Sequence, residues 1–405
     1  MERIYLDNNA TTRPDDAVLA AVDVAQRKWW ANPSSVHRFG QKVRQQMELA
    51  RCDVATLIGA APRGIVFTSG GTEANNLALG GVLQGALRRA AESQGDPPTL
   101  ITTAIEHAAV REPGETLGLA GVEVVNLPLH AGGVVDPADL AAVLKTRTGV
   151  VLVSVQWANN ETGVIQPIEA LAKGVHDARQ EAAGAGRRPQ IYLHTDATQA
   201  VGKIKVDVKA VGVDLLSLAA HKFHGPKGVG ALYVGPGVPL AAVQRGGPQE
   251  RERRGGTENV PAVLGLGVAA KLAAARVDDT AGIQAGRALR DRLEGHIAAA
   301  CPKGVVNSGL VDRLWNTSNL GFRGLEAEAL LLGLSERGVC ASAGAACSSG
   351  SLEPSPVLRA MGIEEAVAHG SIRLSLSQET TQDQVDHAAE VLIAVVKRLG
   401  RVLPV

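Results

Sequence analysis

Short apolar runs recur along the first 235 residues, separated by longer stretches of helical period. Ile65-Val66-Phe67, Leu100-Ile101-Thr102-Thr103, Val122-Glu123-Val124-Val125 and Val150-Val151-Leu152-Val153 read as strands, as do Ile191-Tyr192-Leu193, Leu215-Leu216-Ser217-Leu218 and Ala231-Leu232-Tyr233-Val234. Between Asp15 and Trp29 the apolar positions Val18, Val22, Ala25 and Trp29 share one helical face, and Asp15 or Asp16 can cap it. Buried β runs alternating with helices predict an α/β protein built on a mostly parallel sheet.

The texture changes near residue 258. Helical stretches lengthen over 325–337 and 382–398, and strand-like runs thin out to 319–322 and 372–376. This predicts a large domain followed by a smaller α+β domain. The Gly/Ala/Arg-rich stretch 184–189 reads as a surface loop.

Composition removes several function classes. The 405 residues carry 41 Lys+Arg and 41 Asp+Glu, so no basic field exists to gather nucleic acid. At 3% aromatic residues, a platform for stacking bases is not expected. Four cysteines do not make a disulfide framework. Residues 1–7 have no apolar core of a secretory signal, and no apolar run reads as long enough to span a bilayer. A cytoplasmic protein with free thiols is expected.

In open α/β sheets the ligand sits at the carboxyl ends of the strands. After 65–67 comes Thr68-Ser69-Gly70-Gly71-Thr72-Glu73 opening a helix, either a plain Gly-rich turn or an anion cup. Glu106 and His107 follow the next strand, and Trp157-Ala158-Asn159-Asn160-Glu161-Thr162-Gly163, turn or site, follows another. Asp196 ends a strand, either as a helix N-cap or as a buried carboxylate needing a partner. Lys222 follows a buried strand in a Gly/Pro-rich loop, where a desolvated amine can form a Schiff base. His221 and His224 lack a nearby third ligand, so no metal site is assigned. An anion cup, a lysine and a carboxylate for a ring nitrogen together match the needs of pyridoxal 5′-phosphate. In the second domain, Cys340 to Ser351 is almost entirely small residues, with Cys347 at its centre.

These motifs, taken in order, resemble the cysteine desulfurases of the class V aminotransferase group, most closely the NifS type. The resemblance runs nearly end to end. It includes Tyr5-Leu6-Asp7-Asn8-Asn9-Ala10-Thr11-Thr12, Asn32-Pro33-Ser34-Ser35, His194-Thr195-Asp196-Ala197-Thr198-Gln199-Ala200-Val201-Gly202-Lys203 and Arg254-Gly255-Gly256-Thr257-Glu258-Asn259. It implies a fold type I (aspartate aminotransferase-like) enzyme with a seven-stranded sheet. The implied division is a large domain at 15–258 and a small domain at 1–14 plus 259–405. By resemblance, Lys222 carries the pyridoxal phosphate, Asp196 pairs with its ring nitrogen, and Gln199 and Asn160 bond the ring hydroxyl side. His107 stacks on the ring, while Gly71, Thr72 and His221 hold the phosphate. Thr257 reaches the phosphate of a neighbouring subunit, implying a homodimer. Arg373 binds the carboxylate of L-cysteine, Asn9 lines the pocket with Asn160, and Cys347 is the nucleophile that becomes a persulfide. The resemblance implies that the sulfur then passes to an acceptor such as an iron–sulfur scaffold, of nitrogenase or housekeeping type. A selenocysteine lyase or other class V enzyme is the alternative, and an idle sulfur carrier the reading from another class. The chain departs from the pattern at Ala219, where many relatives carry a serine phosphate ligand, and at Ala345. Pro113 predicts a late start for the helix after His107.

Overall fold

A computed structural model describes residues 3–184, 190–344 and 353–402. The expected loop at 184–189 therefore lies almost wholly outside the described residues, as does Cys347. The strands are β1 (Ile4–Tyr5), β2 (Ile65–Thr68), β3 (Thr99–Thr103), β4 (Glu123–Leu127), β5 (Val151–Ser154), β6 (Ile191–Asp196), β7 (Leu215–Ala219), β8 (Gly230–Val234), β9 (Gly304–Val306), β10 (Thr317–Phe322), β11 (Val339–Cys340) and β12 (Ser371–Ser375).

Seven of them form the central sheet in the order β2-β8-β7-β6-β5-β3-β4. Only β8 runs against its neighbours, β2 and β7; the other pairs are parallel. The six co-directional strands therefore end at one edge. β2, β3, β5, β7 and β8 are buried at every position, which is why they lack the regular polar alternation of a half-exposed strand. One set of polar residues inside the sheet is satisfied within it. His194 bonds Ser154 Oγ through Nδ1 (2.8 Å) and Ser217 Oγ through Nε2 (3.0 Å), across β5, β6 and β7.

The helix Asp16–Lys28 is capped by Asp15, whose side chain accepts the Ala17 N–H, and Val18 and Ala25 are buried. The helix Ala108–Leu119 starts at once after His107 and runs through Pro113, contrary to the late start expected. The proline forfeits one intrahelical hydrogen bond, but buried Ala109, Val110, Gly114 and Leu117 hold the helix by packing.

A smaller antiparallel sheet, β12-β10-β9, and the parallel pair β1–β11 lie around a second apolar cluster. That cluster joins Ile4 and Leu6 from the start of the chain to Trp315, Phe322, Leu330, Ile372 and Leu392. The helix Val260–Asp278 instead puts Val263, Leu266, Ala270 and Ala273 into the first cluster, with Val18 and Val43. The first cluster thus takes in this helix and also Leu314. This helix is also the one element among the described residues long and apolar enough to cross a membrane, against the expectation that no run reached that length. Its apolarity comes from packing between the helices Asp16–Lys28 and Arg38–Leu57.

Candidate active site

The strand ends open on a cavity of about 430 Å³. Gly71 and Thr72 reach it after β2, and Glu106 and His107 after β3. Asn160 and Glu161 follow β5, Asp196, Thr198 and Gln199 lie at the end of β6, and His221 and Lys222 follow β7. Asn9 enters from the chain's start and Arg373 from β12. Of the site residues expected from sequence that lie among the described residues, all but Thr257 line this one cavity. Thr257 is exposed elsewhere. Its segment is tied to the cup by Arg254, which pairs with Glu73 at 2.8 Å, while Glu73 accepts the Ser69 N–H at 2.8 Å.

Asp196 accepts from Asn75 Nδ2 (2.7 Å) and from the Thr198 N–H (2.9 Å), so two neutral donors orient a buried carboxylate. Lys222 Nζ donates to the backbone oxygens of Asn9 (2.7 Å) and Ala10 (2.9 Å). His107 caps its helix: Nδ1 accepts the Ala109 N–H at 3.1 Å, which leaves the ring proton on Nε2. Burial first, then the charges of Lys222 and Arg111, hold His107 below the usual histidine range, so the ring is neutral. His221 is pushed down to about 4 by burial and by Lys222, Lys227 and Lys203. His221 and His224 turn to different partners, Thr11 Oγ1 (3.2 Å) and Arg13 O (2.9 Å).

The turn and site readings of Asn159-Asn160 divide between the two residues. Asn159 Oδ1 accepts the N–H groups of Glu161 (2.8 Å) and Thr162 (2.9 Å) and makes the turn. Asn160 faces the cavity, and its backbone oxygen takes Asn9 Nδ2 (3.2 Å) and Arg373 Nη1 (3.0 Å). Arg373, 1% exposed, also pairs with Asp7 at 2.6 Å.

Four residues were not assigned a role from sequence. Asn75 orients Asp196. Glu106 is buried among Thr103 Oγ1 (2.7 Å) and the Gln156 N–H (3.0 Å), both on Oε1. Asp7 holds Arg373. Glu161 accepts from Ser355 Oγ at 2.6 Å and packs against Gly344, whose φ of +93° leaves no room for a Cβ beside that carboxylate. No spacing pattern signals them, because each acts on a residue of a distant segment or through a buried side chain.

The cavity wall carries buried polar atoms with no partner among the described residues: Asn75 Oδ1, Glu106 Oε2, Thr198 Oγ1 and Arg373 Nε. Leaving such atoms dry costs about 1–3 kcal/mol each, so the wall is made for a polar ligand. The donor set fits an anion at the free N–H groups of the helix Gly71–Ser93 and a cationic ring nitrogen at Asp196.

The model of the family described as Aminotransferase class-V matches residues 4–387. The chain is 44% identical over 404 residues to a protein named Cysteine desulfurase 2 from Trichormus variabilis, covering all of this chain and 96% of that one. It is 42% identical over 406 residues to Cysteine desulfurase NifS from Azotobacter vinelandii, covering all of this chain and 95% of that one. A solved structure called a NifS-like protein superposes with a TM-score of 0.87 at 34% identity, over 98% of this chain and all of the other.

Proposed function

This chain belongs to the class V aminotransferase family and is a cysteine desulfurase of the NifS type, and from that premise we propose that it works with pyridoxal 5′-phosphate on Lys222 and collects the substrate sulfur on Cys347. The observation that carries this reading is one cavity where Lys222, Asp196, His107 and the Gly71 cup meet beside unpartnered buried polar atoms.

Asp196 keeps the ring nitrogen protonated, and Asn75 keeps Asp196 in place. Asn160 and Gln199 bond the ring hydroxyl side, and neutral His107 covers the ring face. Gly71, Thr72 and His221 hold the phosphate, and Thr257 serves the site of a second copy in a homodimer. Bound there, the cofactor supplies an electron sink for the substrate's Cα. Arg373 holds the substrate carboxylate, which orients the Cα hydrogen, with Asn9 and Asn160 as the pocket wall. The Lys222 amine moves the Cα proton.

The Cys347 thiolate then attacks the substrate sulfur. The carbon–sulfur bond breaks, its electron pair stays with the carbon fragment, and that fragment takes a proton and leaves as L-alanine. Cys347 retains the sulfur as a persulfide. Gly344, three residues away and at most about 11 Å along extended chain, lines the cavity and supports this assignment. A cytoplasmic iron–sulfur scaffold, of housekeeping or nitrogenase type, is the sulfur acceptor this family reading favours.

The test is alanine and sulfide release from L-cysteine with a reductant present. Wild type yields the two in equal amounts. C347A keeps the cofactor's visible absorption and yields no sulfide. Sulfide release by C347A at the wild-type rate overturns the assignment.

A further inference from the structure

We propose that Thr198 is a ligand of the cofactor phosphate in this chain and supplies, from the turn after β6, the hydroxyl that Ala219 does not. The inference rests on the cavity taking pyridoxal 5′-phosphate.

Three loops meet at one point of the cavity wall. A Cβ built on Gly71 lies 2.9 Å from Thr198 Oγ1 and 3.5 Å from Ala219 Cβ. That point is the start of the helix Gly71–Ser93, where backbone N–H groups are free to meet an anion. Ala219, at the end of β7 and 1% exposed, presents only a methyl group there. Thr198 presents a hydroxyl whose oxygen is buried and has no partner among the described residues.

Local backbone geometry does not account for that hydroxyl. The turn at Asp196 is closed by the Thr198 N–H donating to Asp196 Oδ1, so the side chain is left over from the turn. The β-branch restricts its rotamers, so its direction is set by packing and costs little to keep. Among the described residues of this chain, the other side-chain donors assigned to the cup are Thr72 and His221, and burial and nearby lysines push His221 down to about 4; Thr257 comes from the second copy. A phosphate has three peripheral oxygens, so with few donors nearby one more hydroxyl is a substantial share of its holding.

The test measures cofactor loss from the holoenzyme by gel filtration, with pyridoxal, which lacks the phosphate, as the control. T198V removes the hydroxyl at nearly constant shape, T198S keeps it, and T198V/A219S returns one from the other side of the cup. T198V is expected to hold pyridoxal 5′-phosphate about ten- to a hundredfold more weakly. T198S stays near wild type, and the double variant recovers most of the loss. Binding of pyridoxal is the same in all four proteins. The proposal is overturned if T198V retains the cofactor as wild type does, or if T198S falls as far as T198V. It is equally overturned if pyridoxal binding falls in step, or if A219S brings nothing back. Wild type that holds pyridoxal as firmly as its phosphate ester instead overturns the cofactor reading of the whole site.

Discussion

Lys203 donates through Nζ to the side-chain oxygen of Gln199 and, at 3.2 Å, to its backbone oxygen. Gln199 Nε2 in turn donates to Asn9 O at 2.9 Å, the same oxygen that receives Lys222 Nζ at 2.7 Å. Two lysines are thus joined through one amide and one carbonyl. Burial, then the charges of Lys222 and Arg373, drive Lys203 well below the usual lysine range. Because an amine in this position donates, Gln199 must turn its oxygen toward Lys203 and its NH₂ toward Asn9.

K203M strands the buried Gln199 oxygen. The expected cost is about 1–3 kcal/mol of stability, read as a lowered Tm. K203M and Q199M together should cost less than the sum of the two changes, because the second removes the atom the first leaves unpaired. Additive losses in the cycle mean that the bond contributes nothing.

Glu106 makes stability depend on pH. Burial is the first cause that raises its carboxyl to about 8, with the charge of Asp196 adding, against hydrogen bonds from the Gln156 N–H and Thr103 that lower it. A carboxyl raised in the folded state stays protonated while the unfolded chain ionises near its ordinary value. The folded state is therefore penalised progressively as pH rises from about 4.5 to about 8. E106Q keeps a neutral side chain of the same shape. Its Tm relative to wild type should rise between pH 5 and pH 8, and a flat difference across that window contradicts the assignment.

What was legible in the sequence follows from this geometry. Parallel strands end at one edge, so reading the residues after each apolar run brings Gly71, His107, Asn160, Asp196 and Lys222 together without any contact information. The supports of those residues were not legible. Asn75 and Asp196 are 121 positions apart, Asp7 and Arg373 366, and Glu161 and Ser355 194. No local period encodes such pairs.

The segment before Thr257 depends on a buried ion pair. Arg51 binds Glu250 through two bonds of 2.7 Å, stacks 4.4 Å over Phe67, and Glu250 also accepts the Phe67 N–H at 2.8 Å. Glu250, Arg251 and Glu252 all have positive φ, at +46°, +59° and +63°, a costly run for residues with a Cβ. R51M leaves the Glu250 charge buried alone and should cost about 3–5 kcal/mol. Trypsin cleavage after Arg251, Arg253 and Arg254 should accelerate in R51M. R51M/E250M should recover part of the stability, since no stranded charge remains, but not the resistance to cleavage.

Arg373 divides its guanidinium between Asp7 and the Asn160 carbonyl, and its Nε has no partner among the described residues. If Arg373 holds the substrate carboxylate as proposed, the carboxylate meets an arginine whose guanidinium Asp7 and the Asn160 carbonyl already hold. R373K keeps the charge but loses the planar fork, so KM for L-cysteine should rise about tenfold or more, with a smaller change in kcat. D7N leaves the charge and the fork but weakens the clamp on it. If Asp7 only holds the guanidinium in position, D7N should lower affinity for L-cysteine and for cysteine analogues with intact carboxylates. Analogues in which the carboxylate is an amide should bind wild type and D7N alike. Equal losses with acid and amide place the effect elsewhere in the fold.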